Sequence, residues 1–231
     1  MLERRALGAE LLDGPDFSLQ EAVDTFRFLV PVNCWLGGIK PVLSFFRRES
    51  RAWDRHTTYH ILDAGCGVGD VPLALAKWAR RKGYHIQVHA MDRHPIIVQL
   101  ARQKCQGYPE ISLSCQDVFR LKGQQYDYVH ASQFVHHFPN EDVPSVLRHL
   151  LSMCRHKLVV NDLVRAPVAY LSTWLFTLVT SRVFRHDARL SVRRGFTIDE
   201  LTKLLRDGGF HGFYLKRRFF YRFLLVMNKE V

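Results

Sequence analysis

One stretch constrains this chain more than any other: His60-Ile61-Leu62-Asp63-Ala64-Gly65-Cys66-Gly67-Val68-Gly69-Asp70. A short apolar run ends in Asp63, three glycines follow at alternate positions, and a helical run begins at Val71. Glycine reaches positive φ without steric cost and lets a ligand approach the backbone. The first N–H groups of a helix have no partner inside it and carry partial positive charge. Strand, glycine turn and helix in this order predict a nucleotide crevice at the carboxyl edge of a parallel sheet. The spacing Gly65-x-Gly67-x-Gly69 is neither the dinucleotide fingerprint G-x-G-x-x-G nor a phosphate loop ending Gly-Lys-Ser/Thr.

From residue 59 the chain alternates. Residues 59–63 predict a strand, and residues 71–82 a helix that Gly83 stops. Residues 85–92 alternate as a second strand, and Pro95 opens a helix with Ile96, Ile97, Leu100 and Ala101 inward. Residues 111–115, 126–131 and 157–162 predict three more strands, with a helix over 141–154 between the last two. Strands separated by helices form βαβ units and a parallel sheet. The end differs. Thr197 and Glu200 read as a capping box, and the β-rich runs 210–217 and 219–227 lie too close for a crossover, so they pair as an antiparallel hairpin. Before the sheet, residues 11–46 predict one or two helices. Ser18 and Glu21 cap the first, Phe17, Leu19, Val23, Phe26 and Leu29 form its apolar stripe, and residues 32–38 break it.

At 231 residues the chain suits one domain with a sizeable core. Net charge is +11, and residues 182–231 hold twelve Lys/Arg against five Asp/Glu. Such a basic end attracts nucleic acid, anionic lipid or an acidic carrier, or forms the solvated face of a hairpin. Five scattered cysteines without a C-x-x-C pair argue against a zinc site or disulfide framework and fit a reducing cytosol. No secretory signal and no bilayer-spanning run is visible, so a soluble, cytoplasmic protein is expected.

Asp63-x-Gly65-x-Gly67-x-Gly69 after a strand resembles the first motif of class I S-adenosylmethionine (SAM)-dependent methyltransferases, and the likeness extends over about residues 59–231. The resemblance implies an α/β fold: a Rossmann-like, seven-stranded, mostly parallel sheet with a C-terminal antiparallel hairpin, helices on both faces and an N-terminal helical cap. It divides a single domain, residues 1–231, into cap (1–58), SAM-binding core (59–162), substrate lid (163–196) and final helix with hairpin (197–231). It also assigns the cofactor contacts. Gly65, Cys66, Gly67 and Gly69 wrap the methionine part and Asp63 shapes the loop. Asp92, with Arg93 beside it, accepts from the ribose hydroxyls. Asp117 accepts from the adenine amino group and Val118 lies against the ring. S-adenosylhomocysteine (SAH) is the implied product, and no metal is implied.

Residues 131–138, Ala-Ser-Gln-Phe-Val-His-His-Phe, resemble a segment of small-molecule methyltransferases that passes close to the sulfonium. Ser132, Gln133 and His137 are thereby candidates for methionine or substrate contact. The Asn/Asp-Pro-Pro-aromatic motif of nucleic acid amine methyltransferases and the Pro-Cys pair of cytosine-C5 enzymes are both missing, which counts against nucleic acid. Methyl transfer requires alignment of the nucleophile and, for a phenol, removal of its proton. The candidate bases are His136, His137, Asp162 and His186, of which His186, His136 and Asp162 are taken as catalytic. The apolar run 170–179 predicts a lid over an apolar aromatic or lipid-like substrate, with Trp174 as a contact; peripheral membrane contact or core packing are the alternatives. Residues 185–197, with 11–15 and 32–38, resemble a bacterial subgroup associated with type III polyketide products such as alkylresorcinols and quinols. In that reading Arg189 and Arg193 steady a phenolate or carboxylate. The expected reaction is O-methylation of a phenol or quinol. The rivals are C-methylation of a quinone-like ring, RNA methylation through the basic end, and SAM binding without turnover.

Overall fold

The computed structural model describes residues 2–14 and 17–229; Pro15, quoted above, lies outside them. Helix α1 (Leu19–Trp35) starts on the expected capping box: Ser18 Oγ accepts from Glu21 N at 3.2 Å, and Glu21 Oε2 accepts from Ser18 N at 2.8 Å. It runs through Pro31, so the break is narrower than expected and falls at residues 36–39, where the N–H groups of Gly38 and Ile39 both return to Asn33 O. The expected apolar stripe is also displaced. Leu19 and Val23 face solvent while Ala22 and Thr25 are buried, because this helix turns Thr25, Phe26, Leu29 and Asn33 toward a cavity rather than packing flat on a sheet.

Helix α2 (Lys40–Glu49) precedes the alternating core, which runs β1 (Thr58–Ala64), α3 (Asp70–Lys82), β2 (His85–Asp92), α4 (Pro95–Lys104), β3 (Ile111–Cys115), β4 (Tyr126–Ser132), α5 (Val143–Ser152) and β5 (Cys154–Leu163). Helices α6 (Pro167–Phe176), α7 (Arg182–Arg194) and α8 (Ile198–Asp207) follow, then β6 (Phe213–Arg218) and β7 (Arg222–Asn228). The seven strands are ordered β3-β2-β1-β4-β5-β7-β6. The first five are parallel, and β7 is antiparallel to both its neighbours. The sheet therefore has the expected Rossmann-like form, with its order reversing between β1 and β4. Crevices in such sheets open at that switch point, beyond the strand carboxyl ends.

One face of the sheet buries Val146, Leu147 and Leu150 of α5 with Leu201 and Leu205 of α8; the other buries Phe45 and Phe46 of α2 with Leu75 and Trp78 of α3. The helix predicted to reach Cys154 stops at Ser152, and Cys154 instead begins β5 by pairing with Tyr126. The hairpin likewise starts later than expected, because Phe210 N closes back on Leu205 O at the end of α8. The Thr197–Glu200 capping box is present, with Glu200 N donating to Thr197 Oγ1 at 3.1 Å. Thr197→Ala should lower folding stability by about 1 kcal/mol, read from the midpoint of urea unfolding. Among the described residues no single helix is long and apolar enough to cross a membrane.

Candidate active site

A cavity of about 600 Å³ lies over the switch point, walled by the glycine loop, α1, the turn at residues 11–13, α6, α7 and the start of β7. Gly65 has φ 70°, and a Cβ there would stand 2.6 Å from Phe134 Cδ2. Gly69 has φ 80°, and a Cβ there would stand 2.8 Å from Cys105 Sγ. Both positions need glycine for conformation and for space. Cys66 N donates to Met91 O at 2.9 Å, tying the loop to β2. Beneath the loop the buried Asp63 carboxylate is hydrogen-bonded to His130 Nδ1, consistent with a shaping role.

Asp63, Gly65, Cys66, Gly67, Asp92, Arg93, Asp117, Val118, Ser132 and Gln133 all line the cavity. Gly69 is not in the wall; it starts α3 just behind it. Asp92 Oδ2 accepts from Gly67 N and Oδ1 from His94 N, each at 3.1 Å. Burial pushes its carboxyl upward in pKa, opposed by these two N–H groups. Each carboxylate oxygen keeps one further lone pair, enough for two adjacent hydroxyls. Asp117 Oδ1 accepts from Phe119 N at 2.9 Å, which fixes its place at the far end of the crevice. Arg93 is spoken for: its Nη2 donates to Asp13 O at 3.0 Å and Asp13 Oδ1 at 3.1 Å. Three strand-end acids, with the nearby arginine already paired, fit a polyol, an amine and a sulfonium far better than a phosphate chain. Asp92→Ala should weaken SAM binding by about 1.5–3 kcal/mol in calorimetry, the scale of hydrogen bonds to a charged group.

The other half of the cavity holds two histidine–acid pairs. His136 is buried, with Nδ1 bonded to Asp162 Oδ1 at 2.7 Å and Nε2 3.3 Å from Glu10 Oε1. Burial alone would push this imidazole down; the charge and hydrogen bonds of Asp162 and Glu10 outweigh it and raise the ring to about 9. Burial would raise Asp162, but the His136 cation and the N–H groups of Leu163 and His136 hold it at about 2. His137 is more open. Its Nδ1 bonds Asp13 Oδ2 at 2.7 Å, and among the described residues Nε2 has no partner. Burial would raise Asp13 too, yet the His137 hydrogen bond and charge, with Arg93 and Arg194, bring it to about 2. Arg5 and Arg194 brace the turn from below by donating to the backbone oxygens of His136 and His137.

Glu10, His136 and His137 each bring one potential ligand atom within 4.8 Å of the others, a set able to hold a metal ion. Glu10 and His136 already bond each other there, with Arg194 Nη1 at 4.0 Å from Glu10 and 3.6 Å from Asp13.

The structure revises several sequence assignments. His186 does not line the cavity: its half-exposed ring bonds Asp187 on the outer side of α7. His136 reaches the cavity but is held as a cation, so it is not a free base at neutral pH. Asp162 sits behind His136 and accepts from Phe134 N, His136 N, Leu163 N and His136 Nδ1, leaving it a positioning role. Trp174 faces outward from α6, whose Ala169, Ser172, Thr173 and Phe176 form the wall instead. Arg189 ties α7 to the end of α6, donating to Thr177 Oγ1 at 2.8 Å and Trp174 O at 3.1 Å, and neither it nor Arg193 lines the cavity.

Glu10, Asp13 and Asn33 were not assigned from sequence, although they lie within or beside stretches that carry the subgroup resemblance. Glu10 and Asp13 arrive because Asp187 accepts from the N–H groups of Leu11 and Leu12 at 2.7 and 3.0 Å, which docks the 11–13 turn on α7, and Asn33 comes in on α1.

Residues 61–157 match the family model described as a methyltransferase domain. No curated protein matches the sequence. Among solved structures, the magnesium protoporphyrin IX methyltransferase of Synechocystis PCC 6803 with bound SAM is similar over 94% of this chain and 86% of its own, at 21% identity and TM-score 0.55. The plantazolicin methyltransferase BamL, in complex with a triazolic desmethylPZN analog and SAH, is similar over 85% of this chain and 67% of its own, at 18% identity and TM-score 0.56. The CurJ carbon methyltransferase is similar over 79% of this chain and 51% of its own, at 12% identity and TM-score 0.59. These likenesses show the shared fold. Residues 61–157 match a methyltransferase domain, and the crevice of three acids and a glycine loop at its edge has the groups to hold SAM.

Proposed function

We propose that the enzyme methylates a phenolic oxygen of an apolar small molecule, with His137 as the base. When bound, the cofactor supplies an electrophilic methyl group on a sulfonium. The protein's task is to align the acceptor and take its proton. The observation that carries the reading is His137: Asp13 fixes its Nδ1–H, so Nε2 is the accepting nitrogen at the cavity wall. Asp92, Asp117 and the glycine loop would hold that cofactor, and His137 Nε2 would take the phenolic proton as the oxygen accepts the methyl group. Leu29, Val32, Leu36, Phe176, Phe184 and Val192 supply apolar walls that fit a hydrocarbon or aromatic body.

The outward face of the lid, with Val168, Leu171, Leu175, Leu178 and Val179 exposed, supports delivery of such a substrate from a membrane surface. The five free thiols support a cytoplasmic setting.

The test is to incubate the protein with methyl-labelled SAM and a panel of alkylphenols, alkylquinols, catechols and tRNA, and to locate the label by NMR. Label on a phenolic oxygen is expected. Label on a ring carbon would replace O-methylation with C-methylation in the same cavity, and label in tRNA alone would overturn the small-molecule reading.

A further inference from the structure

Arg222 opens β7 opposite Leu163, at the end of β5. This is the side of the cavity away from Asp92 and Asp117: the sheet order sets β2 and β3 on one flank of the switch point and β5 and β7 on the other. The residue is 3% exposed and lines the cavity. Among the described residues no carboxylate lies within ion-pair distance of it, and its Nη1 has no hydrogen-bond partner. Its Nη2 reaches only Asn33 Oδ1, at a long 3.5 Å, and that oxygen already accepts from Gln133 Nε2 at 2.7 Å.

The other deeply buried arginines differ. Arg165 is paired with Glu200 at 3.0 Å and donates to Gly195 O at 2.6 Å. Arg194 lies beside Asp13 and Glu10 and donates to two carbonyls. Burial pulls the Arg222 guanidinium down to about 10, with the Asp162 charge pulling the other way, so it stays cationic at neutral pH.

A buried cation without a counter-ion is costly, and the cost is relieved when a ligand brings the missing charge. One face of this guanidinium, Nη1 with the weakly engaged Nη2, is free. Parallel N–H donors of that kind match the two oxygens of a carboxylate better than one phenolate oxygen. We propose that Arg222 is a specificity residue that binds a carboxylate group on the acceptor substrate. The inference rests on the reading of this half of the cavity as the acceptor site, and it narrows the substrate class to aromatic acids with an apolar tail.

The test uses protein saturated with SAH and three probes in calorimetry: 2,4-dihydroxy-6-pentylbenzoate, 5-pentylresorcinol, which lacks only the carboxylate, and decanoate, which lacks the ring. Wild type should bind the benzoate at least about tenfold more tightly than the resorcinol, the lower end for a charge-assisted pair. Arg222→Met should erase that preference, and Arg222→Lys should keep part of it. SAH affinity and the melting temperature should stay near wild type in the lysine variant. Equal binding of the first two probes by wild type, or a preference that survives Arg222→Met, would overturn the proposal. A loss of SAH affinity in both variants would also do so, by assigning Arg222 to the cofactor's own carboxylate. Decanoate separates this inference from the phenol reading: Arg222-dependent decanoate binding without binding of either phenol keeps the carboxylate site and removes the phenol, whereas binding of neither acid removes the site.

Discussion

Replacing Asp162 with alanine should cost about 3–5 kcal/mol of folding stability, the range for removing one partner from a buried pair. The carboxylate is fully buried, and four N–H donors converge on it: Phe134 N, His136 N, Leu163 N and His136 Nδ1. Without it, three backbone donors lose their acceptor and the His136 cation keeps only Glu10. Urea unfolding should show the loss as a lower midpoint at unchanged slope. A change below about 1 kcal/mol would mean that the His-His turn is held by Arg5 and Arg194 instead. The pair also sets a pH window. Asp162 is depressed to about 2, so its contribution is present above the ordinary carboxylate range and fades as pH falls through that value. His136 is raised to about 9, so its contribution is full below the ordinary imidazole range and is lost as pH rises through about 9. The stability difference between wild type and Asp162→Ala should therefore be greatest between about pH 4 and 6.5 and shrink on the alkaline side.

The second large effect concerns turnover. On a phenolic acceptor, His137→Gln should lower kcat by about 10²–10⁴-fold, the usual contribution of a positioned general base, while SAH affinity in calorimetry stays near wild type. Asp13→Asn is the companion variant. It leaves the ring in place but removes the carboxylate that fixes its tautomer, so kcat should fall. His186→Gln should change kcat little, because that ring points away from the cavity. If His186→Gln were the damaging substitution and His137→Gln the mild one, the assignment of the base would be reversed.

The parallel core and the gathering of the glycine loop, Asp92 and Asp117 at one cavity were legible in the sequence because both are local. Gly65 and Gly69 announce positive φ, and Asp92 and Asp117 stand at or just beyond strand ends whose apolar alternation marks them. The half around His136 and His137 was only partly legible because it is assembled across long separations. His137 meets Asp13 from 124 positions away, and Arg222 meets Asn33 from 189. Nothing in periodicity or spacing encodes such meetings. His186 misled for a related reason. A histidine in a distinctive stretch looks functional, but on α7 the residue after it, Asp187, turns inward and the ring turns out. The stripe on α1 misled because burial there is against a cavity rather than a sheet, so small and polar residues replace the large apolar ones that a packed face would show.

The docking of the 11–13 turn on Asp187 has a consequence for how the enzyme comes into being. During synthesis, strands β1 to β5 can assemble once residue 163 has emerged, and the crevice for the cofactor assembles with them. Glu10 and Asp13 precede that core in the chain, and the N–H groups of Leu11 and Leu12 beside them find their acceptor, Asp187, only on α7, more than 170 positions later. Until α7 forms, the 11–13 turn has, among the described residues, only Arg93, His136 and His137 to hold it, so the Asp13 contact that orients the His137 ring is fully braced later than the crevice itself.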